Sequence, residues 1–236
     1  MGKDREQLPQ ASSGGDVDAF IRAVEAMPQA RPAASGRLIF AMDATASRGP
    51  SWDRACQIQG EMFEATAALG GLSIQLVYYR GYNECKASRW LSTAGDLHRV
   101  MRKVFCVGGH TQIARILDHA AAMAKKDRVG ALVFVGDAME ENPDALCHGA
   151  AELGLLGVPL FVFHKGGNVL AGRTFREMAR VSKGAYCPFD AASAQQLRAL
   201  LGAVAVYAAG GRRALESYGK QQGGAVLQLT SQLGKG

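Results

Sequence analysis

The sequence predicts an α/β protein with three layers: a doubly wound, mostly parallel central sheet and helices on both of its faces. Three observations lead to this prediction. Apolar segments of strand length alternate with amphipathic segments of helix length along most of the 236 residues. The segment at 129–136, VGALVFVG, is almost continuously apolar, as is typical of a parallel strand buried on both faces. Glycine pairs at 70–71 and 108–109 interrupt the pattern where helices end or begin.

The elements follow one another in a regular order after residue 36. Residues 1–36 are interpreted as a disordered N-terminus, a short amphipathic helix and a linker, 37–209 as the α/β domain, and 210–236 as a Gly- and Gln-rich tail. Apolar runs bounded by turn residues predict strands at 38–42, 72–79, 88–91, 129–136, 158–163 and 185–189. Helical spacing of apolar residues predicts helices at 52–69, 94–103, from about 111, 143–155, 170–181 and 193–209.

Charge and cysteine usage exclude several classes of protein. The net charge of +6 comes from scattered basic residues, with no basic stripe interleaved with aromatics, so we expect no nucleic-acid partner. Five cysteines without a C-x-x-C pair argue against a disulfide framework and a structural zinc site. The polar N-terminus has no hydrophobic signal-peptide core, and no apolar run is long enough to span a membrane. We therefore expect a cytoplasmic protein.

Oxygen-bearing side chains stand where predicted strands end. The first strand ends on Asp43, with Thr45 and Ser47 at alternating positions after it, and Asp137 follows a later strand. Thr111 opens a helix after a glycine pair. Ligands of doubly wound sheets bind at the carboxyl ends of the strands, so these five side chains are expected to converge there.

The predicted ligand set consists of hard oxygen donors alone, without histidine or thiolate. Such a set suits Mg²⁺ or Mn²⁺, and it does not suit zinc. Because hydroxyls are neutral, the protein cancels the charge of the ion only in part. A metal ion held in this way attracts an external carboxylate, so the pattern predicts capture of an acidic ligand.

Three motifs in chain order carry a resemblance to a known family. They are Asp43-x-Thr45-x-Ser47, Gly108-Gly109-His110-Thr111 and Gly136-Asp137. Together they resemble the metal-ion-dependent adhesion site (MIDAS) of the von Willebrand factor A (VWA) domain family, whose pattern is Asp-x-Ser-x-Ser, a distant Thr and a distant Asp. The resemblance covers roughly residues 37–209 and includes 175–186, which is similar to the last helix and strand of the family. Thr45 departs from the commoner Ser; it keeps the hydroxyl, and its methyl group narrows the site.

The resemblance implies roles for these residues and a class of partner. Thr45 and Ser47 would ligate the metal directly, Asp43 and Asp137 directly or through water, and Thr111 directly when a ligand is engaged. The Asp or Glu of a protein partner would complete the octahedron. Similar bacterial intracellular proteins serve as adaptors beside AAA+ ATPases or chaperones, which implies a partner of that kind. His110 is assigned no role.

Other interpretations of the same residues stay open. Asp43 could serve a metal-dependent phosphatase or hydrolase, although its third motif position is Thr45 where aspartyl-phosphate phosphatases have a second Asp. The chain could also be a structural subunit with a vestigial metal site, or the residues could be ordinary turn and cap residues. Glu140 and Glu141 are interpreted as solvated acids near the first turn of the next helix. We expect a binding module that is not an enzyme.

Overall fold

The computed structural model describes residues 36–45, 71–165, 167–189 and 194–222. The strands within these ranges are β1 (Gly36–Asp43), β2 (Leu72–Arg80), β3 (Glu84–Ala87), β4 (Ala131–Gly136), β5 (Leu160–Lys165) and β6 (Ala185–Phe189). The helices are α1 (Ala94–Met101), α2 (Ile113–Lys126), α3 (Pro143–Leu155), α4 (Val169–Val181) and α5 (Ala194–Gln222). The predicted helices before residue 36 and at 52–69, together with Ser47, lie outside the described residues.

The six described strands form one sheet in the order β3-β2-β1-β4-β5-β6. All neighbouring pairs are parallel except β2 and β3, which are antiparallel at one edge. The prediction of a mostly parallel α/β sheet is therefore confirmed. Because β1 has β2 on one side and β4 on the other, the connections switch direction there, and the carboxyl ends of these strands open a crevice.

Both faces of the sheet are buried, and alternate residues of each strand point to opposite faces. In β1, Leu38, Phe40 and Met42 join a cluster that also contains residues of α1 and α5. Ile39 and Ala41 join the opposite cluster, which contains residues of α2, α3 and α4. These five β1 side chains are at most 1% exposed. Helices on both faces are thus the reason why the parallel strands read as continuous apolar runs.

The edge strand was predicted at 88–91, and this position was wrong. The strand β3 ends at Ala87. The Ser88 hydroxyl accepts a hydrogen bond from the Leu76 backbone amide at 3.0 Å, which takes the donor that a continuing strand would use. After this interruption the chain meets β2 again through a single bridge between Ile74 and Leu91.

The last helix was predicted to end at residue 209, and α5 is interrupted close to that point by a non-helical residue, Gly211. Gly211 has φ 70° and ψ −167°, a left-handed conformation that glycine adopts without strain. The glycine therefore separates two helical segments that meet at a kink, and the second segment, up to Gln222, was not predicted. Beyond it, Leu215 is fully buried and Tyr218 packs against the core.

The chain divides into two units, Met1–Pro32 and Ala33–Gly236, and every described residue belongs to the second. The proposed division at 36 and 209 stays a prediction. Among the described helices, none combines the length and the apolar character that crossing a membrane requires.

Candidate metal centre

Asp43 is the last residue of β1, and the chain turns immediately after it. Its side chain is 1% exposed, and its Oδ1 accepts a hydrogen bond from the Thr45 backbone amide at 2.7 Å. This Asx turn brings Thr45, which is 8% exposed, back beside the carboxylate. Between them, the Ala44 amide donates to the Tyr79 carbonyl of β2 at 2.9 Å. The first two residues of the predicted set are therefore fixed at the carboxyl end of the sheet.

Residues 107–112, the threonine loop, are held against the end of β2. The His110 amide donates to the Gly81 carbonyl at 3.2 Å, and the Gln112 side-chain amide donates to the same oxygen at 3.1 Å. The backbone at Gly109 and the backbone at Gly81 approach so closely that a Cβ on Gly109 would lie 2.0 Å from the Gly81 oxygen. Glycine is the residue that permits this approach. Thr111 is thereby brought to the edge that carries Asp43.

Residues 137–142, the acidic loop, hold Thr111 from the other side. The Thr111 hydroxyl donates to the Glu141 carboxylate at 2.5 Å and accepts from the Glu140 amide at 2.9 Å. The Glu140 carboxylate accepts from the Thr111 amide at 3.2 Å and contacts the His110 ring at 2.8 Å. His110, which the sequence analysis left without a role, is thus a partner of Glu140.

Glu141 caps the start of α2, which corrects the interpretation of this residue as a solvated acid of the following helix, whereas Glu140 is exposed. Its Oε1 accepts from the Ile113 amide and from the Ala114 amide, the latter at 3.2 Å. The helix needs this distant cap, because Gln112 at its N-cap makes no side-chain cap bond and its first turn contains no acid. The following helix, α3, is capped instead by Asn142.

Tyr79 is a buried residue of β2 that pairs with Asp43 of β1. Burial raises the pKa of the Tyr79 hydroxyl well above its usual range. The negative charges of Asp43, Glu141 and Asp137, together with a hydrogen bond to Asp43, raise this pKa further. Tyr79 was not predicted as a residue of the site. Its signal is the register of β1 on β2, which pairs Asp43 with Tyr79.

The structure brings four of the five predicted ligands to one edge of the sheet. Asp43 and Thr45 follow β1, Asp137 follows the neighbouring β4, and Thr111 lies in the threonine loop between them. The donors are carboxylates and hydroxyls, which fit Mg²⁺ or Mn²⁺. Within the described ranges, no three His, Cys, Asp or Glu side chains are grouped so that they could hold a metal ion by themselves. Their roles as ligands stay predictions.

Comparisons with known proteins give likenesses of structure alone. No family model and no curated protein matches the sequence. The SpRpn10 VWA domain matches with a TM-score of 0.54 at 11% identity over 66% of this chain and 88% of that domain. An aerotolerance-related membrane protein of Bacteroides fragilis matches with a TM-score of 0.56 at 13% identity, over 72% and 98% of the two chains.

A third solved structure carries a metal at its own site. It is proximal thread matrix protein 1 of the mussel byssus, described with a zinc-occupied MIDAS motif. It matches with a TM-score of 0.53 at 16% identity, over 73% of this chain and 46% of that one. At identities this low, the three likenesses establish a common fold and nothing about ligands.

Proposed function

We propose, from the premise that this chain has the fold of von Willebrand factor A domains, that it is a metal-ion-dependent protein-binding module. The observation that supports the proposal most is the convergence of Asp43, Thr45, Thr111 and Asp137 at one edge of the sheet. These donors come from three separate loops that meet at this edge. A pre-arranged set of this kind reduces the cost of ordering the ligands.

The bound ion in this proposal is Mg²⁺ or Mn²⁺. Asp43, Thr45 and Asp137 would hold it, together with Ser47 and Thr111, and the ion would supply a Lewis-acidic position for an outside carboxylate. Of these five ligands, three are neutral hydroxyls and two are carboxylates, and such a set would favour capture of a partner's Asp or Glu. The mussel protein with its zinc-occupied MIDAS supports the idea that this fold carries such a site.

Glu140 and Glu141 have a positioning role in this proposal. Both contact Thr111, and Glu141 also anchors the start of α2. Direct ligation by Thr111 requires its hydroxyl to turn its lone pairs to the metal while the loop stays in place. The several hydrogen bonds between the acidic loop and the threonine loop keep that loop in place.

The partner proposed for this edge is a protein that presents Asp or Glu. An AAA+ ATPase or a chaperone, a bacterial source and a cytoplasmic location remain predictions from the resemblance. Binding without catalysis is likewise part of the proposal.

Affinity capture from native lysate tests this function. The tagged chain is used in Mg²⁺, in EDTA, and as Asp137→Asn in Mg²⁺, and the retained proteins are identified by mass spectrometry. The matched control is Asp118→Asn, the same chemical change at an exposed position of α2. We expect one set of partners for wild type and Asp118→Asn in Mg²⁺, and its loss in EDTA and in Asp137→Asn. Partners retained equally under all conditions would contradict the proposal.

A further inference from the structure

A cavity of about 340 Å³ opens beside the candidate metal centre. It lies where β5 and β6 end and α4 begins, which is the same carboxyl edge of the sheet that carries Asp137. Its volume is within the range of small-ligand sites, and it is much larger than a single ion needs. We call it the arginine cavity; it is lined by His164, 167–169, Gly172, Arg173, Arg176, Tyr186 and Pro188.

The charge of the arginine cavity is positive. Arg173 and Arg176 both line it, and its lining contains no Asp or Glu. Among the described residues, no ion pair includes either arginine. The N-terminal end of the 13-residue α4 adds the positive end of its dipole. An anionic ligand is therefore the class that this cavity favours.

Arg176 is held in place before any ligand arrives. Its Nη1 donates to the Gly172 carbonyl at 3.1 Å, and its guanidinium carbon lies 4.5 Å from the centre of the Tyr186 ring. A guanidinium that is stacked and hydrogen-bonded loses little further freedom when it binds an anion. Arg173, which also lines the cavity, is exposed.

A buried histidine connects the arginine cavity with the metal centre. His164 is 2% exposed, and its Nε2 lies 3.2 Å from the Asp137 carbonyl oxygen. Because a carbonyl can only accept, Nε2 carries a proton, and Nδ1 lies 2.8 Å from the Tyr186 hydroxyl, within hydrogen-bond distance. His164 thus links Tyr186, which lines the cavity, to the backbone of Asp137.

We infer that the arginine cavity binds a second carboxylate of the same acidic partner segment whose first carboxylate meets the metal. This inference rests on the proposed function. Guanidinium groups match the two oxygens of a carboxylate, and the cavity neighbours the predicted metal ligand Asp137. The partner segment is therefore one with two acidic side chains, and the cavity determines which acidic segments are selected.

Acetate is the probe that tests the cavity by itself. The uniformly ¹⁵N-labelled full chain is titrated with acetate in EDTA, with acetamide as the neutral isostere. Arg173→Gln is compared with Arg180→Gln, an equal change of charge at an exposed position of the same helix. We expect saturable amide shifts at Asn168 and Gly172 in wild type and Arg180→Gln, and about tenfold weaker acetate binding in Arg173→Gln.

Three results would overturn the assignment of a carboxylate. Acetamide could shift the same amides as strongly as acetate, or Arg173→Gln could bind acetate as Arg180→Gln does. Inorganic phosphate is titrated in parallel, and saturation by phosphate at about a tenfold lower concentration than acetate would assign the cavity to phosphorylated ligands instead.

Synthetic peptides test the connection to the metal. Gly-Ser peptides with one Glu are compared with peptides in which two Glu are separated by a graded number of residues, in Mg²⁺ and in EDTA. We expect one spacing to bind about tenfold more tightly than the single-Glu peptide, and this advantage to vanish in Arg173→Gln. An advantage that is absent at every spacing, or that survives in Arg173→Gln, would refute the inference. Single-Glu binding that is equal in EDTA would refute the metal-bridged function, while the acetate result would still stand.

Discussion

Replacing Glu141 by alanine is expected to destabilise the fold by about 2 kcal/mol, although the residue lies in a loop. The substitution removes an acceptor from the Ile113 and Ala114 amides and from the Thr111 hydroxyl. Loss of a helix N-cap costs about 1 kcal/mol, and hydrogen bonds to a charged group are about twice as strong as neutral ones. The Thr111 hydroxyl is half-buried and can bond water, so it adds little. The sum corresponds to a change of about 30-fold in the folding equilibrium.

Glutamine at this position separates the charge from the shape. Glu141→Gln keeps an acceptor near the start of α2 and loses the charge, so we expect it to lower the free energy of unfolding by about 1 kcal/mol. The control is Glu152→Gln, which removes an exposed carboxylate that pairs with Lys125 at 2.7 Å. A surface pair of this kind contributes about 0.5 kcal/mol or less.

Urea unfolding followed by circular dichroism and by fluorescence measures these differences, with coincident transitions as the test of two-state behaviour. Hydrogen exchange adds a local readout, because the Ile113 and Ala114 amides should exchange faster in Glu141→Ala. If Glu141→Ala unfolds at the same urea concentration as Glu152→Gln and these amides keep their protection, the capping argument is wrong.

Three further predictions concern other parts of the chain. Gly109→Ala should lower the free energy of unfolding, measured in urea, by about 2 kcal/mol, because its Cβ would lie 2.0 Å from a carbonyl oxygen. Gly95→Ala, which has open space around it, should not destabilise the protein. Equal urea midpoints of the two variants would contradict this prediction. The hydrogen bond from Arg80 lowers the pKa of Glu84 from 4.5 to about 2. The stability that this pair contributes is therefore present above about pH 4.5 and is lost as the pH falls toward 2. An NMR titration of the Glu84 carboxyl with a midpoint near 4.5 would refute this prediction. Burial raises the pKa of the Cys187 thiol from 9.0 to about 11. Alkylation of Cys187 near pH 8 should therefore be about a hundredfold slower than alkylation of an ordinary thiol. An alkylation rate that levels off near pH 9 would contradict this prediction.

The sheet could be predicted from the sequence because its signals are local. Continuous apolar runs such as that of β4 reflect burial on both faces, and the bounds of α3 follow from Asn142 as N-cap and Pro143 in the first turn. The topology of a doubly wound sheet then predicts that Asp43 and Asp137 lie at one edge.

What the sequence did not reveal depends on contacts between distant residues. Glu141 caps a helix that begins 28 positions earlier, and no local pattern signals such a cap. The arginine cavity combines two residues of one helix with His164 and Tyr186 from two strands. The interruption at Ser88 and the helical segment after Gly211 were missed because a hydroxyl can replace a strand partner and a second helix can begin directly after the glycine that interrupts the first.

Direct metal binding is the measurement that tests the central claim most directly. Isothermal titration with Mg²⁺, and Mn²⁺ binding followed by electron paramagnetic resonance, are compared for wild type, Asp137→Asn and Asp118→Asn. The account predicts one site per chain in wild type and in Asp118→Asn, and an affinity lowered about tenfold or more in Asp137→Asn, because a carboxylate ligand is lost. Identical binding in all three proteins, or no saturable binding in wild type, would contradict a metal centre at this edge of the sheet.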